Sequence, residues 1–534
     1  MADQHDEQFR RRNAREILER IEEAKRRVSD EGREHAREKM HDRGSLTARE
    51  RVAYLCDSGT FTEYGQLVAP SNDTPEVQEW DRETAPADGI VTGIGDIDGR
   101  PTAVLSFDYT VMGGSMGDNG FKKMRRLFDL AMDNGLPVVM LHDGGGHRIQ
   151  EGLDARPIAH GDPHRIWSIL AKLSGYVPLV SAIMGPGFAG PTNFSSLCDF
   201  VPIVSGTGSM GIAGPPIVKA ALGIDISMDD YGADFHTAET GMAHAAYDSD
   251  EACLDAIRDF LSYLPQDASE EPPVASSYVP PTETDQGRLI DVVPSNPKKG
   301  YDVHDVIEGV IDRDSFFEIQ RRWARNIVIG FARIEGQSVG IVANNPRIKA
   351  GTLDADVSNK APRFISLCDA FRIPVIFFVD VPGFLPGPDQ EKQQIARHSG
   401  KFMYELGRAT TPIINVVVRR GYGLGYLAMA GGRDANQLKV VWPTAEIAGM
   451  SIEGAVELVY QNEIEEADDP DARRQELIDK FTELTGPLRA TEDMGVDAAI
   501  APSETRSYIA EALERASDTD VELEPPKRHG IPPL

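Results

Sequence analysis

Two glycine-punctuated turns are the parts of this chain best suited to chemistry. In residues 412–432, PIINVVVRRGYGLGYLAMAGG, the β-branched run 413–418 reads as a strand. A turn spaced by Gly421, Gly423 and Gly425 then leads into a helix-compatible segment, 426–430. Glycine admits positive φ and leaves peptide N–H groups uncovered, so they can point at a ligand oxygen where a helix begins. That is the chemistry of holding an oxyanion. Residues 178–194, PLVSAIMGPGFAGPTNF, repeat the design with Gly185, Gly187 and Gly190, followed by Pro191, a residue suited to the first position of a helix. A single turn of this kind is more often structural than functional; the second copy favours chemistry.

A third glycine-rich segment, DGGGHRIQEG at 143–152, follows an apolar strand. Its consecutive glycines can wrap a ligand closely, and Arg148 can either pair with a phosphate or close a structural ion pair. His236 stands alone and reads first as a packing residue. The chain has no G-x-x-x-x-G-K-[ST] phosphate loop, no Rossmann G-x-G-x-x-G with its following acid, no H-E-x-x-H and no G-x-S-x-G. An Ala-Met-Lys-Met biotinylation string is also missing, so no metal site is expected and no biotin is expected on this chain. What remains is a pair of backbone-donor turns. Two of them facing one another suit a reaction in which two enolate-like oxygens develop and a proton passes between substrates.

The elements that must position these turns are themselves duplicated. Residues 91–146 and 328–383 align without a gap at an offset of 237, placing Gly99 on Gly336, Gly114 on Gly351, Pro137 on Pro374, Asp143 on Asp380 and Gly146 on Gly383. In each copy a helical stretch leads through Leu-Pro or Ile-Pro into a buried-type strand, PVVMLHD or PVIFFVD. The fold class expected is a duplicated α/β unit. Ahead of it, residues 9–43 read as a charged helical arm with a thin apolar stripe of Phe9, Ile17, Leu18, Ile21 and Val28. Thr47 and Glu50 then suit a capping box. Five prolines in residues 265–281 mark a linker, and the second half begins near Arg288.

Composition narrows the partners. The 534 residues leave room for two large domains. With 55 basic and 85 acidic side chains the net charge is -30, which argues against nonspecific binding to nucleic acid or an anionic membrane. The four cysteines are scattered without a CxxC, so neither a disulfide framework nor a zinc ribbon is indicated. No signal peptide and no apolar run long enough to span a bilayer is found, and a cytoplasmic location is the expectation.

Several strings in order along nearly the whole chain carry a more specific resemblance: FTEYG, DGGGHRIQEG, MGIAGPPIVK, FLSYLP, NIVIGFARIEGQSVGIVANNP, FVDVPGFLPGPDQE, ATTPIINVVVRRGYGLGY, WPTAEIAGM and KRHGIPPL. The sequence resembles the carboxyltransferase (β) subunits of biotin-dependent acyl-CoA carboxylases, the propionyl-CoA carboxylase group. The resemblance implies two tandem crotonase-like domains behind an N-terminal helical arm. The expected boundaries are an arm at 1–70, an acyl-CoA-side N domain at 71–265, a linker at 266–287 and a biotin-side C domain at 288–534. It further implies acyl-CoA as substrate, carboxybiotin on a separate biotin carboxylase/carrier subunit, and a homo-hexamer built as a trimer of dimers. In the implied mechanism carboxybiotin releases CO2, its ureido nitrogen takes the α-proton, and the enolate attacks CO2.

By resemblance, the N-domain donors are Ala189 and Gly190 and the C-domain donors are Leu424 and Gly425. Gly145, Gly146, Arg148, Gly187, Tyr426 and Leu427 complete the expected substrate contacts. The chain departs from the family pattern where Ala189-Gly190-Pro191 and Gly423-Leu424-Gly425 replace Gly-Gly-Ala, where Leu427 replaces an Asp lining the acyl pocket, and where His147 replaces Ala. A biotin-dependent decarboxylase or transcarboxylase subunit is an alternative within the same chemistry. A non-catalytic scaffold for the carrier or CoA ligands is the alternative outside it.

Overall fold

In the computed structural model, which describes residues 14–71, 79–153, 165–432 and 437–516, the chain divides within the helix Asp250–Ser262 into two units, Met1–Phe260 and Leu261–Leu534. The KRHGIPPL motif and Phe9 lie outside the described residues.

In the first unit, β1 (Thr62–Tyr64), β2 (Ile90–Ile97) and β3 (Arg100–Phe107) form an antiparallel meander. From β3 the sheet continues in parallel through β4 (Val138–His142), β5 (Leu179–Ile183), β7 (Pro202–Val204) and β9 (Ala245–Tyr247). A separate parallel pair, β6 (Pro186–Phe188) with β8 (Ser209–Gly211), carries the turn before Gly190. β4 and β5 are buried at every residue, as the unbroken apolar runs require of strands covered on both faces. The core packs Leu105, Met140 and Ile183 against Phe128 and Leu170 from flanking helices.

The second unit repeats the plan. β10 (Phe317–Ile319), β11 (Ile327–Ile334) and β12 (Gln337–Asn344) are antiparallel. β13 (Val375–Val381), β14 (Ile413–Tyr422), β15 (Leu438–Val441) and β17 (Ala498–Ala499) continue in parallel, and β16 (Glu446–Ala448) pairs with the far end of β14. The offset of 237 survives in the pairing: Ile90 opposes Phe107 as Ile327 opposes Asn344, and Ala103 opposes Val138 as Gly340 opposes Val375. Two aligned lysines mark the same inheritance. Lys123 donates to the carbonyls of Ala87 and Ile90, and Lys360 to those of Gln320, Trp323 and Ile327 at 2.8–3.0 Å. Burial pulls each ammonium down to about 7, and the carbonyls hold the proton in place.

The arm is two helices, Ala14–Val28 and Glu34–Asp42, separated at Asp30–Gly32. Its stripe is thinner than the sequence suggests: Val28 is buried while Leu18 and Ile21 are exposed. Arg33 anchors it on Asp108 at 2.7 Å. The capping box forms as expected, with Glu50 N–H donating to Thr47 and Thr47 N–H to Glu50. The proline-rich stretch packs on the second unit, where Ala275 N–H donates to Gly336 O at 2.9 Å. The linker end expected at 287 falls inside the helix Glu283–Val292, which Thr282 and Asp285 cap. None of the four cysteines is in a disulfide and all are buried, and burial pushes the Cys56 thiol up to about 12 and those of Cys253 and Cys368 higher. No helix among the described residues is long and apolar enough to cross a membrane.

One titratable cluster tests the second unit's stability. His304 lies between Glu318 (3.0 Å) and Asp302 (2.6 Å), and the Glu318 carboxylate, outweighing burial and helped by Asp302, raises its pKa to about 9. A raised folded-state value stabilises fully below the unfolded pKa of about 6.5 and is lost as pH climbs through about 9. We predict that His304→Gln lowers the unfolding free energy most below pH 6.5, by about 3 kcal/mol, seen as a reduced melting temperature there. Melting curves should converge with wild type above pH 9.

Candidate active site

In each unit the strand end and the helix start come together glycine against glycine. Behind β4, the Gly146 carbonyl accepts from Met116 N–H (3.1 Å), and the loop is returned by Arg148 N–H to Met116 O (2.8 Å). This holds Gly146 beside Gly190, the first residue of the helix Gly190–Ser195: a Cβ on Gly146 would stand 3.3 Å from the Gly190 nitrogen. Behind β13, Leu353 N–H donates to Gly383 O (3.0 Å) and Leu385 N–H to Leu353 O (2.8 Å), the same bonds at the same offset. Gly383 thereby meets Gly425, where a Cβ would stand 2.7 Å from the Gly383 Cα. The aligned Gly114 and Gly351 let the chain pass under the strand ends, at φ 72° and 77°, with a Cβ meeting Asp143 O at 2.0 Å and Asp380 O at 2.7 Å.

The donors differ in part from those expected. Ala189 is not free to donate, because its N–H is spent on Gly211 O at 2.9 Å, extending the β6–β8 ladder. Its contribution is conformational: φ 60° and ψ -111°, a region costly for a residue with a Cβ, turns the chain sharply into the helix. The N–H groups of Gly190, Gly145 and Gly146 have no acceptor among the described residues. Pro191 occupies the second helical position, not the first. Gly187 sits within β6, its carbonyl accepting from Thr192 Oγ1 at 2.6 Å, so it shapes the turn from behind. Positive φ, expected of the glycines at 185, 187 and 190, falls instead on Ala189.

Arg148 is 1% exposed and closes the ion-pair alternative: Nη1 donates to Asp88 (2.8 Å) and Glu151 (2.6 Å), and Nη2 to Ser115 O. Burial raises the Asp88 and Glu151 carboxyls while Arg148 opposes it. Its Nε has no partner among the described residues, but the whole guanidinium is enclosed, so the substrate contact expected at Arg148 gives way to a buttress beneath the loop.

In the second unit the helix starts earlier than expected, at Gly423 after Tyr422, so Leu424 and Gly425 lie in its first turn with N–H groups that find no acceptor among the described residues. Of the three turn glycines only Gly423 takes positive φ, 53°. The continuation Leu427–Gly431 is a widened turn broken at Ala430 (φ 65°), where Asn415 Nδ2 donates to Met429 O at 2.7 Å. Tyr426 is buried against Gly421 and Gly431, and burial pushes its hydroxyl up to about 12. Leu424 and Leu427 remain exposed and flank the turn.

Sequence reasoning aligned Asp143 with Asp380 but missed their partners. Asp143 meets Arg51 at 2.9 Å, which reaches Asp250 at 2.7 Å; Asp380 meets Arg419 (2.8 Å) and Arg420 (2.6 Å). Both strand ends are thus neutralised by arginine, from distant sequence in one unit and from the twin arginines of β14 in the other. His236 is a packing residue as read. Met210 O can only accept, so Nε2 carries the proton (2.8 Å) and Nδ1 accepts from Thr240 Oγ1 (3.0 Å). With Thr192, Met210, Gly211 and Phe235 it lines a cavity of about 490 Å³.

Two sheets of one design, each ending in a cradle of peptide N–H groups, fit a carboxyltransferase of the crotonase-like fold. The comparisons agree: residues 39–531 match the model of the carboxyl transferase domain, and the chain belongs to that family. It is 43% identical over 497 residues to the propionyl-CoA carboxylase carboxyltransferase subunit of Haloferax mediterranei, covering 93% of this chain and 95% of the relative. To the methylmalonyl-CoA carboxyltransferase 12S subunit of Propionibacterium freudenreichii subsp. shermanii it is 40% identical, covering 93% and 94%. A crystal structure of transcarboxylase 12S with methylmalonyl-coenzyme A and methylmalonic acid bound superposes with a TM-score of 0.89 at 39% identity, covering 97% of this chain and 98% of that one.

The close approach is directly testable. Gly146→Ala would place a methyl over the Gly190 N–H, and Gly425→Ala would drive one into the Gly383 backbone. We predict that each lowers the carboxylation rate about 10²-fold or more, the scale of losing one oxyanion donor. Gly146→Ala should do so with an unchanged melting temperature.

Proposed function

We propose that this chain moves a carboxyl group from biotin, carried on a separate subunit, to the α-carbon of an acyl-CoA. The observation that carries the reading is the recurrence of the glycine-on-glycine cradle in both units, with uncommitted N–H groups in each. In this reading the first unit, expected at 71–265, holds the acyl thioester oxygen through Gly190 and its neighbour Gly146. The second, expected at 288–534, holds the biotin ureido oxygen through Leu424 and Gly425, with the exposed Leu424 and Leu427 offering apolar flanks for the ring and the acyl group. Bound carboxybiotin supplies CO2 and the nitrogen that accepts the α-proton. The protein's own part is to place two rigid sets of peptide dipoles where negative charge develops, at no reorganisation cost. Each catalytic centre would pair the first unit of one subunit with the second unit of its dimer partner, in a hexamer with a biotin carboxylase/carrier subunit.

A decarboxylase or transcarboxylase shares this half-reaction, and a methylmalonyl-CoA decarboxylase α subunit of Veillonella parvula is 38% identical over 97% of this chain. The partner subunits, identified by co-purification with a biotinylated polypeptide, distinguish them. The reading predicts slow decarboxylation of methylmalonyl-CoA by the isolated protein when free biotin is added. A scaffold without turnover shows none. Leu427, in place of an acidic residue, should favour longer or branched acyl groups: Leu427→Asp is expected to shift the rate ratio between a longer acyl-CoA and propionyl-CoA toward propionyl-CoA, and an unchanged ratio would count against that role.

A further inference from the structure

The duplication supplies an internal control for the loop at Gly146. Its backbone path is made by the same pair of bonds in both units, Met116 with Gly146 and Arg148, and Leu353 with Gly383 and Leu385. The side chains on that path differ. In the first unit His147 Nε2 meets Asp118 Oδ1 at 2.8 Å, and the ring stands edge-on to Phe121 at 5.5 Å. The positions aligned with His147 and Asp118 in the second unit are Phe384 and Ala355, which can form no such bond. A loop of the same shape is therefore built without the pair, so folding of the loop does not account for it.

We propose that His147, oriented by Asp118, is a positioning residue for the acyl thioester, fixing the adjacent Gly146 so that its cradle with Gly190 is held in register with the substrate oxygen. The inference rests on the reading of that cradle as the acyl-CoA side. Asp118 opens the helix Asp118–Asn134, and its N–H donates to Glu151 Oε2 at 2.7 Å. The imidazole thus ties the glycine loop to a helix end that Glu151 already braces. Among the described residues Asp118 pairs with it directly, and Glu151, Arg148 and Asp88 form the adjoining ion-pair cluster. Asp118, His147 and Glu151 present ligand atoms within 4.8 Å of one another, but the Arg148 guanidinium already sits on Glu151, so the cluster is occupied by a protein cation. The carboxylate acceptor fixes the proton on Nε2, which makes glutamine, with an amide nitrogen at the same reach, the conservative replacement.

The test uses the full chain with its biotinylated carrier and propionyl-CoA, comparing wild type, His147→Ala and His147→Gln by kcat, by direct calorimetric binding of propionyl-CoA and by melting temperature. A donor held only for the transition state affects kcat and spares ground-state binding. His147→Ala is expected to lower kcat about 10-fold, within the range that small misplacements cost. Its propionyl-CoA affinity and melting temperature should stay unchanged, and His147→Gln should recover most of the rate. Equal turnover in His147→Ala and wild type, or equal impairment in both variants, overturns the inference while leaving the cradle reading intact. Failure of the wild-type protein to bind propionyl-CoA overturns the cradle reading itself, and the inference with it.

Discussion

Everything at the two cradles depends on main chain approaching main chain more closely than a side chain permits. Gly425 lies so near Gly383 that a methyl group would fall 2.7 Å from its Cα, and Gly146 leaves only 3.3 Å to the Gly190 nitrogen. Bare backbone at these points lets peptide dipoles from two separate elements converge on one spot, and a donor on a strand-to-helix turn is as rigid as the sheet behind it. The same requirement explains why departures at Leu424 and Pro191 are compatible with the turns. Leu424 points its side chain outward, and Pro191 occupies a helical position whose N–H has no partner to lose.

Behind the cradles stands a layer of buried charge that the duplication copied and then diversified. Asp143 and Asp380 end equivalent strands, yet one is met by Arg51 and Arg43 from the arm side of its unit and the other by Arg419 and Arg420 from its neighbouring strand. Lys123 and Lys360 kept both position and role, because backbone carbonyls, unlike side chains, do not drift with sequence. A buried ion loses its hydration, so each such group persists only where partners are fixed before it arrives. These networks set the loop geometry.

Much of this was legible in the sequence. The offset between residues 91–146 and 328–383 reappears as strand register, since turn glycines and strand-leading prolines mark backbone constraints that outlast side-chain identity. The turns at 185–190 and 421–425 were locatable for the same reason. The individual donors were less legible. Whether a peptide N–H is free depends on a ladder partner such as Gly211, 22 residues beyond Ala189, and no local pattern reports that pairing. Arg148 illustrates a related limit: an arginine among glycines reads equally as ligand or buttress until Asp88, 60 residues earlier, is seen beneath it. The arm and the start of the second unit were misjudged where short polar breaks, at Asp30–Gly32 and before Glu283, carry weak local signals.

The cysteines have a chemical bearing on a protein that handles activated sulfur esters. All four are enclosed, and for Cys56, Cys253 and Cys368 burial keeps the sulfur protonated far above neutrality. Only a thiolate attacks a thioester or enters disulfide exchange with liberated coenzyme A. These three sulfurs can therefore stand amid acyl donors and free thiol cofactor without being acylated or trapped in mixed disulfides.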